Sequence, residues 1–330
     1  MKTIALMAVK NEDYILPYTL GNISLIVDEI IIVDDDSSDN SREIAQKYNA
    51  IILPIRKKTF YGSTSYSERN VREQLLDEGR KRGGTHFVCL DADECFTMPF
   101  IKSAQTWLSL LKPGQKLALP WITLWKSCTQ YKNDKKPWKG LIKDFIFCDD
   151  GISNYTELNE IFIGRTPIAT NKDNTIAIPS RNGAVLHFQF AFWEKTQLKQ
   201  AWYRCLELIK HPSKAYFINM KYQNSLDDTT SKTTPIHHDW VGSMALPEEQ
   251  DCKISSWHLA EILRMFKNHE IITFEPLQIW HIPELYHEFI NQIGRQPKPI
   301  LKSPVYTRLK TQICRFIPST IKNVIKKTIK

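Results

Sequence analysis

The chain has 330 residues, of which 42% are hydrophobic and 24% charged, so it can bury a core and is not a disordered polymer. Its net charge of +8 is a property of one end. Residues 289–330 carry ten Lys or Arg and no acid, which leaves residues 1–288 at −2 and argues against a broad nucleic-acid face. The longest apolar runs are far short of the roughly 20 residues that span a bilayer. Seven cysteines, widely spaced and without a CxxC pair, fit a reduced, cytosolic protein.

The opening residues 3–9 form a short apolar run, read as a buried strand rather than a signal peptide, because Lys10-Asn11-Glu12-Asp13 follows at once. Residues 14–26 have a helical apolar pattern. Residues 29–33 are a β-branched run that stops at Asp34-Asp35-Asp36. A helix over 38–48 is expected, with Ser38 or Asp39 near its N-cap, then a strand over 50–55. Ser65-Tyr66-Ser67-Glu68 fits a capping box opening a helix that stops at Gly83-Gly84. Residues 86–90 are again a strand, ending in Asp91-Ala92-Asp93-Glu94. This β-α-β-α-β-α-β order predicts an α/β fold with a mostly parallel, doubly wound sheet.

Further on, strands are expected over 116–125, 144–148, 160–163 and 184–190, and helices over 193–210 and 255–266. Residues 219–251 are polar and read as a long loop or lid. Three divisions result: a main domain over 1–215, an acceptor-side or lid region with helices over 216–290, and a basic, proline-punctuated tail over 291–330. In the tail, Ile321, Val324, Ile325 and Ile329 share one helical face and Lys322, Lys326, Lys327 and Lys330 lie around it. Residues 305–330 therefore suit an anionic membrane surface, and suit equally a tail packed on the body.

Ligands of doubly wound sheets bind beyond the carboxyl ends of the strands. Three polar clusters fall there: Lys10-Asn11-Glu12, Asp34-Asp35-Asp36 and Asp91-Ala92-Asp93. Paired carboxylates at the end of a buried strand repel unless a cation lies between them. A divalent metal carrying phosphates supplies one. The plain alternative is a solvated acidic turn. No GxGxxG and no GxxxxGK[ST] occurs, so a dinucleotide site and a P-loop both lose support.

Taken in order, these segments resemble the family 2 glycosyltransferases of the GT-A fold, in particular bacterial cell-surface polysaccharide and lipopolysaccharide transferases with an LDADE segment. The matching pieces are Val9-Lys10-Asn11-Glu12, then Ile32-Val33-Asp34-Asp35-Asp36-Ser37-Ser38-Asp39, then Glu68-Arg69-Asn70, then Leu90-Asp91-Ala92-Asp93-Glu94 with its DXD motif. Leu158-Asn159-Glu160 and Leu186-His187-Phe188 match less closely. Asp36 stands where glycine is usual, and Asn159 where histidine is usual.

The resemblance implies a helical C-terminal extension and a metal-dependent, inverting transfer from a nucleotide-sugar donor, a UDP-sugar first, to a glycan or lipid-linked acceptor. It implies a divalent metal, manganese or magnesium. Asp34 and Asp35 would contact the base, and Val9, Asn11, Glu12 and Arg69 would line the nucleotide pocket. Asp91 and Ala92 would face the ribose or sugar. Asp93 would ligate the metal, and His187 would reach it or the diphosphate. Glu160 would be the catalytic base, with Asp149, Asp150, Glu157 and Asp239 as competitors. Among the tryptophans, Trp125, Trp138 and Trp240 suit acceptor contacts. The expected location is the cytoplasm, with the tail able to hold the protein at the inner face of a membrane. Two rivals are a nucleotidyltransferase with a similar nucleotide-binding half and a non-catalytic binding protein.

Overall fold

The computed structural model describes residues 1–55, 68–133, 140–155, 157–159, 162–168, 175–226, 232–242, 244–247 and 257–300. The proposed base Glu160, the capping box over 65–67, Trp138 and the tail over 301–330 lie outside them. Two compact units are present, Met1–Thr196 with Asp228–Trp257, and Gln197–Asp227 with His258–Lys330.

The first unit is built on a mixed sheet. Its strands are β1 (Thr3–Val9), β2 (Glu29–Asp34), β3 (Ile51–Pro54), β4 (His86–Cys89), β5 (Glu94–Phe96), β6 (Lys116–Thr123), β8 (Ile142–Cys148), β11 (Thr175–Ala177) and β12 (Val185–His187), while β7 (Gln130–Lys132) and the pair β9 (Glu157–Asn159) and β10 (Phe162–Ile163) lie outside it. The order is β3-β2-β1-β4-β8-β6-β12-β5, with β11 also on β6. The β3-β2-β1-β4 half is parallel, as its alternation with helices requires. β8 runs against both β4 and β6, and β5 runs against β12. The sheet is therefore mixed rather than purely parallel. Because β8 is antiparallel to both neighbours, β6 points the same way as β4, and β11 and β12 follow β6. The carboxyl ends of β1, β2, β4, β6, β11 and β12 all reach one edge.

Both faces of the parallel half are covered, so β1 reads as one unbroken apolar run. Ala5, Met7 and Val9 pack to one side with Leu16, Leu20 and Ile23 of α1 (Leu16–Ile23) and Phe100, Ala104 and Leu108 of α4 (Met98–Leu110). Ile4 and Leu6 pack to the other with Val71, Leu75 and Leu76 of α3 (Glu68–Lys81). α3 ends at Gly83, whose φ of +76° is the left-handed conformation glycine adopts freely. α2 (Ser41–Lys47) starts three residues later than the sequence suggests. Ser37 and Ser38 are engaged elsewhere, and Asp39 Oδ1 accepts from Ser41 N at 2.9 Å.

The second unit is helical in its described residues. It holds the larger part of α5 (Trp193–Lys210), α6 (Ala215–Leu226), α8 (Trp257–His269) and α9 (Pro283–Ile293), with a 3-10 turn at Ile271–Phe274. Their apolar faces close on Cys205, Ile218, Ile262, Phe266, Phe274, Leu277, Leu285 and Phe289. The stretch over 219–251, read above as loop, contains the end of α6, the strand β13 (Thr233–Pro235) and the short helix α7 (His238–Val241). Within 219–251 only Met220, Tyr222 and Leu226 of α6 are apolar and β13 is fully exposed, so the stretch shows little apolar period.

Candidate active site

The site lies along the carboxyl edge of the first unit. At the end of β1, Asn11 adopts a φ of +52°, a conformation Asn tolerates better than most residues. Its backbone N–H donates to Ser37 Oγ at 2.9 Å, and its Oδ1 accepts from Ser38 N at 2.7 Å. Glu12 N donates to Ser41 Oγ at 2.9 Å. The β1 and β2 loops are thus stitched together, which accounts for Ser37 and Ser38 as well as for Asn11. Asp36, where glycine is usual, has a φ of +49°. The turn there is the left-handed one that glycine serves elsewhere, and aspartate holds it here.

Val9 is buried and contributes its carbonyl, which accepts from Asp35 N at 2.9 Å. Asp34 is buried and accepts from Ser37 N, with Arg42 at 3.5 Å. Asp35 Oδ2 accepts from Lys10 Nζ at 2.9 Å, while its Oδ1 has no partner among the described residues. Glu12 lies 3.7 Å from the buried Lys195 Nζ, which also sits over the Tyr14 ring. Arg69 donates to Glu73 at 2.7 Å on the exposed side of α3.

The Asp91-Ala92-Asp93 turn is held from below by α1. Thr19 Oγ1 donates to Ala92 O at 2.6 Å, and Asn22 exchanges two hydrogen bonds with the backbone of Phe96. Asn22 is buried by this use.

The charges that follow are balanced by arginines. Asp91 receives Arg165 Nη2 at 2.8 Å and Arg72 Nη2 at 3.3 Å. Glu94 is fully buried: Oε1 accepts from Trp121 Nε1 at 2.7 Å, and Oε2 accepts from Asp91 N and from Arg165. Burial opposes ionisation of Asp91, but Arg165 and then Arg72 outweigh it and hold its carboxyl below the usual carboxylate range. For Glu94, burial dominates and the carboxyl is raised. The repulsion anticipated between the acids of this turn is thus relieved at Asp91 by the protein's own guanidinium groups.

Asp93 faces a different partner. Its Oδ2 lies 3.6 Å from His187 Nε2, and both side chains are buried. His187 is paired with Glu94 across β12 and β5, and its ring stacks on Trp121 at 4.3 Å. Asp93 and His187 offer an oxygen and a nitrogen side by side, donor types that would suit a divalent cation. No cluster of three His, Cys, Asp or Glu that could hold a metal alone occurs among the described residues.

Two of the competing acids are structural. Asp149 is gripped by Arg80 at 2.7 and 2.9 Å, and Asp150 accepts from Ile152 N, Ser153 N and Ser153 Oγ. Asp239 is exposed beside His237 and His238. Trp125 is core, stacked on Phe190 with Lys132 over its ring.

Sequence reasoning missed Arg72, Arg165, Trp121 and Lys143. Arg72 had a signal, standing one helical turn beyond Arg69 and thus on a neighbouring face of α3. The others had none, being brought in by β6, β8 and an irregular segment. Lys143 sits over the Trp121 ring at 3.2 Å, and burial followed by the charge of Arg165 pushes its ammonium down to about 8.

Residues 5–110 match the family model described as Glycosyl transferase family 2. The matched stretch, 106 of the 330 residues, is similar to the family 2 glycosyltransferases. The segment runs from within β1 to the end of α4 and includes Asn11, Glu12, Asp34, Asp35, Arg69, Arg72, Asp91, Asp93 and Glu94.

No curated protein matches the chain. Among solved structures, S. aureus TarS 1-349 is similar over 86% of this chain and 82% of its own, at 13% identity and a TM-score of 0.38. Glucosyl-3-phosphoglycerate synthase from Mycobacterium tuberculosis, solved with Mn²⁺, uridine-diphosphate and glucosyl-3-phosphoglycerate, is similar over 37% of this chain and 44% of its own, at 16% identity and a TM-score of 0.27. The same synthase with Mg²⁺ and uridine-diphosphate gives 17% identity and 0.28. Likenesses this distant carry no argument about what this chain binds.

Proposed function

We propose that this chain transfers a sugar from a nucleotide-sugar donor, a UDP-sugar first, to a glycan or lipid-linked acceptor, with inversion at the anomeric carbon. The observation that carries the reading is the gathering of Asn11, Asp34, Asp35, Asp91 and Asp93 on one carboxyl edge, within the segment that matches the family.

In this reading Asp34 and Asp35 receive the base, and the backbone of Val9 with Asn11, Glu12 and Arg69 lines the nucleotide. Asp91, kept ionised by its two arginines, and the Ala92 backbone face the ribose or the sugar. Asp93 and His187 would hold Mn²⁺ or Mg²⁺, which would supply positive charge to the departing diphosphate. Inversion needs a carboxylate on the opposite face of the sugar, within reach of the acceptor hydroxyl, to take its proton. The resemblance gives that part to Glu160; of its competitors, Asp149 is engaged by Arg80 and Asp150 by a turn. No helix among the described residues is long and apolar enough to cross a membrane. Placement in the cytoplasm, with residues 305–330 on an anionic inner leaflet, belongs to the same proposal, as does a role in assembling cell-surface polysaccharide. Nucleic acid is no partner in it.

The test is a donor panel. Purified protein is mixed with UDP-, GDP-, CMP- and dTDP-sugars, with Mn²⁺ or Mg²⁺ and with EDTA. Nucleotide release and thermal stabilisation are followed. One donor giving both signals, abolished by EDTA and reduced at least 100-fold in Asp93→Ala, is the expected result. Absence of stabilisation by every nucleotide, with and without metal, sinks the reading.

A further inference from the structure

A cavity of about 570 Å³ opens at the carboxyl ends of β6 and β11, on the same edge of the first unit as the acidic site. Its volume is in the range of small-molecule sites, about 300–1,000 Å³. Trp121, Tyr131, Lys132, Pro179, Ser180 and Trp240 are among its walls, and no acid is found there among the described residues.

Trp121 joins this cavity to the site. One face of its indole is covered by the His187 ring at 4.3 Å. The Lys143 ammonium, 3.2 Å from the ring centre, must take the other face, since His187 fills the first. Only the rim of Trp121 is left for the cavity. A molecule seated there lies one indole away from the Asp93–His187 pair.

Tyr131 and Trp240 are differently placed. Tyr131 is on β7 (Gln130–Lys132), and Thr234 of β13 pairs with it in antiparallel register. The chain then turns directly into α7, which brings Trp240 against Tyr131 with ring centres 5.6 Å apart and planes inclined at 47°. Two half-buried rings set at an angle form an open aromatic corner. The Trp240 indole N–H has no hydrogen-bond partner among the described residues. Ser180 adds a hydroxyl and Asn133 an amide on the walls.

A pyranose ring matches this lining. Its C–H face stacks on an aromatic ring, while its hydroxyls take the indole N–H, the serine and the amide. Among the described walls the one charged side chain is Lys132, whose ammonium lies 3.9 Å over the Trp125 ring.

We propose that this cavity is the acceptor subsite, binding a saccharide ring on Tyr131 and Trp240 beside the donor site. The proposal rests on the transferase reading above, and names the acceptor as a glycan.

The experiment uses the full chain and methyl pyranosides of glucose, galactose, mannose, rhamnose and N-acetylglucosamine. Saturation-transfer NMR measures their binding to the wild type and to Tyr131→Ala, Trp240→Ala and Ser180→Trp. The last variant fills the cavity from an exposed position and leaves the aromatic packing in place, so it is informative where the others fold poorly. Tyr131→Phe keeps the ring and is expected to keep binding. The expected result is saturation of at least one pyranoside through its ring C–H protons, reduced five-fold or more by Ser180→Trp and Trp240→Ala. Stabilisation by nucleotide is expected to stay as in the wild type. Binding unaffected by Ser180→Trp, or no pyranoside bound by the wild type, overturns the subsite. Loss of nucleotide stabilisation in Ser180→Trp and Trp240→Ala also overturns it, and gives the cavity to the donor's base. Failure of the transferase reading itself looks different, since the wild type then responds to no nucleotide.

Discussion

Arg165 connects more of the site than any acid in it. It reaches Asp91 with one nitrogen and the fully buried Glu94 with another, and its guanidinium lies 4.8 Å from the Phe145 ring. Removing it leaves Glu94 in a dry setting without its cation, and an uncompensated buried charge costs about 3–5 kcal/mol. Arg165→Met is expected to lower stability by that amount in urea unfolding. Adding Glu94→Gln should restore part of the loss, because the orphaned charge is then gone. A single variant as stable as the wild type would mean that the pair is not closed in solution. Asp91 and Asp93 are two residues apart with similar sequence surroundings. Asp91 meets two arginines and Asp93 lies beside a histidine, so acids two residues apart stand in different electrostatic surroundings.

The element that fixes the far wall of the site is α3. It lies close against β4 because Gly79 has no side chain. A Cβ built there would stand 2.4 Å from Phe87 Cε1, and one at Gly84 2.6 Å from the same atom. Replacing a mid-helix glycine with alanine ordinarily stabilises by roughly 1 kcal/mol. Here the overpacking acts the other way, and Phe87 is walled in by Ile4, Leu76 and Phe147. Gly79→Ala is expected to destabilise by about 1–3 kcal/mol, measured by thermal or urea unfolding. An increase in stability would show that Phe87 can step aside. Since Arg72 is carried by the same helix, such a shift should also weaken the Arg72–Asp91 contact.

At the scale of the whole molecule, the two units differ in what they bury. The first puts charges at its sheet edge and pairs them. The second buries Arg204, 1% exposed, whose Nε and Nη1 have no hydrogen-bond partner among the described residues. Burial lowers its guanidinium to about 10, and the nearest aromatic ring, Tyr222, is 5.7 Å away. A buried unpaired cation is unfavourable, and an apolar side chain of similar length removes the penalty. Arg204→Met is expected to raise stability by about 1–4 kcal/mol, read from urea unfolding followed by the fluorescence of Trp202 and Trp280. A loss of stability instead would reveal an anionic partner for Arg204 in solution.

The amino-acid sequence by itself determined the parallel half of the sheet. Runs such as residues 3–9 and 29–34 are strands because they are apolar on both faces, and the helices between them are long enough to be read from their own period. It also located the acids at the strand ends, because a polar cluster after a buried run marks where a strand leaves the core. β6, β8 and β12 were also legible, as the runs over 116–125, 144–148 and 184–190, but their order and direction in the sheet, and the partner of each charge, were decided by tertiary structure. β5 and β11 are three residues each, too short to carry a period, and exist through pairing with β12 and β6. α4 went unread because Pro99 and the polar positions between its buried residues blur its pattern. The pairing of Asp91 with Arg165 spans 74 residues, and the corner made by Tyr131 and Trp240 spans more than a hundred. Local propensity says nothing at such separations. Those contacts follow only once the sheet has set which strand ends lie side by side.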